Sequence, residues 1–143
     1  MATPRYDGGC HCGAIGFHFQ TKINPSDWSI RACQCHFCRL HDALSTSDSD
    51  GNLEFTAARP ELLQRYRFAL QTADFLLCRN CGVYIGAVIE TAEGHFGIVN
   101  THALTEQPAS LAATEPVSYD SEDTDGRISR RAERWAPVTR VPW

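Results

Sequence analysis

Seven cysteines fall into three tight clusters, and no cysteine lies outside them: Cys10-His11-Cys12, Cys33-Gln34-Cys35-His36-Phe37-Cys38 and Cys78-Arg79-Asn80-Cys81-Gly82. Thiols one to three residues apart converge on one ion more readily than they form a disulfide framework, and an odd count argues against complete pairing. In a Cys-x-Cys or Cys-x-x-Cys turn two sulfurs reach adjacent corners of a tetrahedron, with Zn–S about 2.3 Å. Gly8, Gly9 and Gly13 flank the first pair and Gly82 follows the last, supplying backbone freedom for a chain that bends around an ion.

Ligand counting suggests a partition. A pair cannot fill a tetrahedral site, so Cys10, Cys12, Cys78 and Cys81 together would make a closed all-thiolate site tying the N-terminus to the middle of the chain. Cys33, Cys35 and Cys38 remain for a second ion, and three protein ligands leave the open position that catalytic zinc sites use. The alternative stays open that two of these three join a pair. His41 lies three residues past Cys38, where it serves either as a ligand or as a hydrogen-bond partner of a thiolate. His36 sits between ligands in a tight turn and is expected to diverge from the metal. His11 is expected to face solvent, and His18, His95 and His102 are read as ordinary strand-side histidines. Arg39 and Arg79 each follow a cysteine; either offsets thiolate charge or grips a carboxylate, or is simply solvated. Arg127, Arg130, Arg131 and Arg134 form a basic group of helical spacing, read as a solvated face paired with Glu122, Asp123 and Glu133.

Strand signals dominate the rest of the chain. Ile15, Phe17 and Phe19 alternate with Gly16, His18 and Gln20, and Tyr66, Phe68 and Leu70 alternate with Arg65, Arg67 and Ala69. Val83, Ile85, Ala87 and Ile89 form a third set, and a turn at Ala92-Glu93-Gly94 leads to a fourth strand, His95 to Asn100. Trp28 to Cys33 and Leu53 to Thr56 are weaker candidates. Ser45 to Asn52 reads as a loop. Leu104 to Ala113 allows a short helix limited by Pro108, and Ser129 to Trp135 is a better one, with acids before it and arginines in it. Trp135 and Trp143 are expected to pack the C-terminal segment down. The reading is a mostly β, single domain over residues 1–143, without repeats or linkers.

With 143 residues and 43% hydrophobic content, the chain is long enough for a genuine core. A net charge of −4 argues against nucleic acid as the main partner. No export signal or membrane-spanning run is seen, which makes a reducing cytoplasm the expected compartment. No Ser/His/Asp set, phosphate loop or dinucleotide fingerprint is present.

The pattern Gly9-Cys10-His11-Cys12-Gly13, Cys33-x-Cys35-x-x-Cys38-Arg39 and Cys78-x-x-Cys81-Gly82 resembles the glutathione-dependent formaldehyde-activating enzyme family, which includes the domain of centromere protein V. Val99-Asn100 and the arginine-rich segment ending in Trp135 also fit. The resemblance implies a β-tent fold of twisted antiparallel sheets with two zinc ions and little helix. It implies a structural zinc on Cys10, Cys12, Cys78 and Cys81 and a labile catalytic zinc on Cys33, Cys35 and Cys38. The implied activity is carbon–sulfur lyase chemistry joining a glutathione-like thiol to formaldehyde or a small aldehyde. Arg39 would then orient a substrate carboxylate and His41 handle a proton. Asp42 stands where relatives commonly have Gly, and Asp tolerates a left-handed conformation better than most residues. Two other readings remain: a zinc-stabilised binding scaffold without turnover, and a thiol-based redox or zinc-buffering protein. The oligomeric state is open, a homodimer being one allowed outcome.

Overall fold

Side-chain alternation decides which way each strand faces. In β2 (Ile15–Gln20), Ile15, Phe17 and Phe19 are buried while Gly16, His18 and Gln20 are half-exposed. β2 lies antiparallel between β1 (Arg5–Gly9) and β5 (Asn52–Ala57), with Phe17 opposite Gly8 on one side and Phe55 on the other. The computed structural model describes residues 2–143, and the remaining elements are β3 (Ile30–Cys33), α1 (His36–His41), β4 (Ser45–Thr46), β6 (Leu63–Tyr66), β7 (Asp74–Cys78), β8 (Tyr84–Thr91), β9 (Gly94–Asn100), β10 (Thr114–Val117), α2 (Thr124–Arg134) and β11 (Ala136–Arg140).

The sheet branches at β9. One edge of β9 pairs wholly with β8, while the other carries β11 along its first half and β4 along its second. From β11 the order runs through β5 and β2 to β1, and from β4 through β3 to β10. β8 continues into β7 and β6. Most pairings are antiparallel; β10–β3 and β11–β5 are parallel. The branch brings sheet faces together over two clusters of buried side chains. One is built on Phe17, Phe19, Leu53, Phe55 and Leu76; the other is built on Phe75, Tyr84, Ile89, Ile98 and Trp135 and includes Cys38. Close approach at the branch leaves no room at Gly97, where a Cβ would lie 2.9 Å from the Ala87 carbonyl oxygen.

The expected mostly β fold is found, with several local differences. β8 and β9 form the anticipated hairpin, Thr91 opposite Gly94 across Ala92-Glu93, with Gly94 at φ 127°. The Tyr66–Leu70 alternation does not make a strand: β6 ends at Tyr66, and Ala69 and Gln71 adopt φ of 53° and 59°. There Arg67 turns back instead, donating to Asp74 and to the Gln71 carbonyl. Leu104–Ala113 is not helical; only Thr101–Ala103 forms a 3₁₀ turn, capped by Asn100, and Leu104 is buried while Gly8 bridges to it. The C-terminal helix starts earlier than expected, because the Asp123 carboxylate accepts from the Gly126 N–H. Ser45–Thr46 of the expected loop is a short strand, and Trp28–Ser29 precede β3. Among the described residues no helix is long and apolar enough to cross a membrane.

Phe17 is 1% exposed, and its ring meets Phe55 edge-on at 6.5 Å. Phe17→Ala is therefore expected to lower unfolding free energy by about 3–5 kcal/mol, read from denaturant unfolding, because the backbone of three paired strands cannot collapse into the space.

Candidate functional site

The first and third cysteine clusters meet. Cys10 follows β1, Cys12 sits in the turn to β2, Cys78 closes β7, and Cys81 lies in the turn to β8. Gly13 and Gly82 follow these turns at φ 82° and 80°, the left-handed conformation that glycine adopts without strain. All four Sγ atoms lie within 4.8 Å of one another. Cys12 Sγ is 3.8 Å from Cys10 Sγ and 3.6 Å from Cys78 Sγ. A tetrahedral zinc with Zn–S near 2.3 Å requires sulfur separations of about 3.8 Å, so the donor set fits the ion. Backbone N–H groups of Asn80 and Cys81 point at Cys78 Sγ, each at 3.4 Å, and that of Ile15 at Cys10 Sγ. Such donors favour thiolate over thiol. The Cys12 thiol is held down to about 6, chiefly by a hydrogen bond from the Asn80 side chain.

The middle cluster forms a separate group, so the partition into four and three is the one the fold makes. Cys33 ends β3. Cys35 is the N-cap of α1, its sulfur accepting from the Cys38 N–H at 3.4 Å, and Cys38 is buried in the first turn. Asp42 ends this short helix at φ 50°, ψ 42°, taking the left-handed place anticipated for it. The three sulfurs lie within 4.8 Å of one another. Packed so closely, they cannot all ionise without a cation. Hydrogen bonds with Cys33 and Cys38 hold the Cys35 thiol far down, whereas bonds with Cys33 and then Cys35, together with burial, push the Cys38 thiol up. A divalent ion relieves that conflict, and three soft donors suit zinc.

These three cysteines open onto a cavity of about 340 Å³. Its apolar wall includes Phe68, Phe75, Ile98 and Trp135, and its polar wall carries Arg31, Arg127, Arg130, Arg131, Tyr119 and Glu122. Glu122 receives Arg130 Nε at 2.7 Å and Arg127 Nε at 3.4 Å, and the Arg130 guanidinium lies 3.5 Å over the Tyr119 ring. Arg31 donates from Nη2 to Ser47 Oγ at 2.8 Å. Arg131 is 8% exposed, donates from Nη1 to Thr72 Oγ1 at 2.7 Å, and lies 4.8 Å over Trp135. Burial pulls the Arg131 guanidinium down to about 10, and Arg31 is lowered for the same reason. The Tyr84 hydroxyl and Arg131 Nε are buried without a hydrogen-bond partner.

The other expected residues are placed differently. Arg39 is exposed and does not line the cavity. His41 packs 4.5 Å from the Phe37 ring and borders a different cleft with Tyr84, Asn100 and His102. His11 is exposed, as expected, and His36 is exposed too. Arg79 donates to the Leu63 carbonyl and so braces the knuckle against β6. The arginine group on α2 is only partly the solvated face expected: Arg127 and Arg130 do pair with Glu122, but Arg131 is buried and faces the cavity. Arg31 was legible in principle, since it stands two residues before Cys33 and therefore on the same strand face. The Arg131–Trp135 spacing of one helical turn was a second signal.

The Arg130 hydrogen bond, opposed only by partial burial, holds the Glu122 carboxyl below its ordinary 4.5. A depressed carboxylate adds stability above its unfolded pKa and loses it as pH falls through the folded value. Glu122→Gln is expected to flatten the acid limb of thermal stability between roughly pH 5 and 3, measured by melting temperature, with little change in the slope above pH 6.

A family model described as "Glutathione-dependent formaldehyde-activating enzyme" matches residues 5–119. Among solved structures, the chain is similar to the crystal structure of a Rhodobacter sphaeroides protein, a structural-genomics target, at 26% identity and a TM-score of 0.54; the match covers 76% of this chain and 99% of that one.

Proposed function

Since the chain belongs to the glutathione-dependent formaldehyde-activating enzyme family, we propose that it is a zinc-dependent carbon–sulfur lyase-type enzyme adding a thiol, such as glutathione, to formaldehyde or another small aldehyde. The observation that carries this reading is the asymmetry of the two cysteine groups. Cys33, Cys35 and Cys38 all line the arginine-bearing cavity, whereas of the other four only Cys10 borders a cleft, one walled mostly by glycines and small side chains with no charged group. A closed four-thiolate site contributes folding free energy, whereas three thiolates facing a cavity leave room for a reactant.

In the proposed reaction the S–H proton leaves the thiol, sulfur forms a bond to the carbonyl carbon, and the C=O π bond opens. The proton ends on the former carbonyl oxygen, giving S–CH₂–OH from formaldehyde with no net oxidation. When bound, zinc supplies Lewis acidity and an open fourth position. Cys33, Cys35 and Cys38 would hold that ion. Phe68, Phe75, Ile98 and Trp135 keep the cavity low in water, which strengthens every charge interaction inside it. Arg39 and His41 border the cluster in sequence, and any role for them in orienting a carboxylate or moving a proton requires a path from outside the cavity. The chemistry needs reduced thiols, which supports placing the protein in a reducing cytoplasm.

The test is thiohemiacetal formation from glutathione and formaldehyde, followed by NMR against the enzyme-free rate, because the adduct also forms spontaneously. Zinc-loaded protein should accelerate it, and Cys35→Ser should return the rate to background while circular dichroism shows the fold retained. No acceleration across several thiols and aldehydes would leave a zinc-stabilised scaffold as the better account.

A further inference from the structure

We propose that the aldehyde taken by this cavity carries an apolar chain several carbons long, seated on Phe68, Leu70, Phe75 and Ile98, and is not limited to the single carbon of formaldehyde. This rests on the lyase reading of the three-cysteine site and names the second reactant.

The cavity has two unlike walls, and only one of them suits a glutathione-like thiol. Such a thiol is charged and hydrogen-bonding along its length, which matches the side that carries Arg31, Arg127, Arg130 and Glu122. The other side is hydrocarbon. Phe75, Ile98 and Trp135 belong to the same packed cluster as Cys38, and Phe68, Cys33 and Cys35 lie against that cluster. Apolar surface therefore begins beside the reacting sulfurs. Formaldehyde has no substituent to lay on it and leaves that wall facing water, whereas each methylene of a longer aldehyde removes apolar area from water on both partners.

The loop between β6 and β7 is bent to bring this wall into place. Ala69 and Gln71 hold φ of 53° and 59°, a conformation that a Cβ disfavours. Arg67 keeps the bend by donating to Asp74 and to the Gln71 carbonyl, and the Gln71 N–H donates to the Phe68 carbonyl. Strained backbone persists only where its surroundings impose it. What this bend achieves is placement: Phe68, Ala69 and Leu70 all line the cavity. Phe37 and Phe75 pack against Phe68, but Leu70 is 40% exposed and belongs to neither buried cluster. Leu70 is thus an unmet apolar contact at the cavity, continuous with the hydrocarbon beside the cysteines. In the reaction the thiol sulfur bonds to the carbonyl carbon, the C=O π bond opens and the S–H proton passes to the oxygen. The product is S–CH(OH)–R, with the R chain on this wall and no net oxidation.

Zinc-loaded full-length protein and glutathione are assayed by NMR with formaldehyde, propanal, butanal and pentanal, each rate divided by its own enzyme-free rate. From propanal to pentanal the acceleration should rise about three- to fourfold per methylene, the scale of one buried CH₂. Phe68→Ala and Leu70→Ser should flatten that rise, and Leu70→Met, which keeps the hydrocarbon, should preserve it. Leu70 is exposed, so its variants give the answer even if Phe68→Ala does not fold. In parallel, 1-propanol and 1-pentanol, which carry the chain but cannot add a thiol, are titrated into protein with ¹³C-labelled methyl groups. The Leu70 and Ile98 methyl shifts should saturate at about tenfold lower concentration with 1-pentanol. A flat or falling aldehyde series alongside catalysed addition to formaldehyde overturns the inference and leaves the lyase reading standing. A rise unchanged in folded Leu70→Ser and Phe68→Ala overturns it as well, because the chain then lies elsewhere. Tighter 1-pentanol binding at Leu70 and Ile98 without acceleration of any aldehyde supports the apolar-chain site while removing the lyase reading.

Discussion

The convergence of Cys10, Cys12, Cys78 and Cys81 is the constraint on which the rest of the structure depends. It fixes the turn between β1 and β2 against the turn between β7 and β8, more than sixty residues later in the chain. From that joint, β8 lies beside β9, and β9 carries both β11 and β4. β4 in turn holds β3, whose last residue is the first cysteine of the other cluster. The second site is therefore positioned through a continuous ladder of strand pairs that begins at the first. The sulfur separations are near those of a tetrahedral zinc site, so one ion held there would tie these distant segments together.

The two groups differ in surroundings more than in ligand type. The four thiols sit in glycine-bounded turns with backbone N–H groups aimed at their sulfurs. The three are organised by a helix start, with one sulfur serving as the cap and another in the first turn. α2 and the 117–122 segment complete a cavity over them, with Glu122 clasping Arg127 and Arg130 as one joint. This arrangement leaves Arg31 and Arg131 at the cavity bonded to hydroxyls, with no protein carboxylate on either. Part of the cavity lies beyond residue 119, where the family match ends, so this wall is a feature read from this chain's own side chains.

Much of this was legible in the residues. The β2 and β8–β9 alternations read correctly because one face of each meets the core, and the cysteine partition followed from ligand counting. Tyr66, Phe68 and Leu70 misled because period-2 alternation is also produced by a loop that packs aromatics, here Phe68 stacked 4.9 Å from Phe37. α1 was missed because its six residues carry two ligand-cluster histidines and no amphipathic repeat, and a thiol cap is not a usual helix-start signal. β11 was hidden by Pro137, tolerated in a strand where the pairing is short. Arg131 looked like one member of a solvated group, since burial of a single helical arginine depends on what folds against it, and Trp135 and Thr72 come from different elements.

The central claim is that seven thiols divide into a closed four and an accessible three. Zinc content per chain, followed while a mild chelator competes, tests it most directly. The account predicts two zinc ions, one released readily with the far-ultraviolet dichroism unchanged and one retained until the chain unfolds. A single zinc, or two retained with equal tenacity, would contradict it.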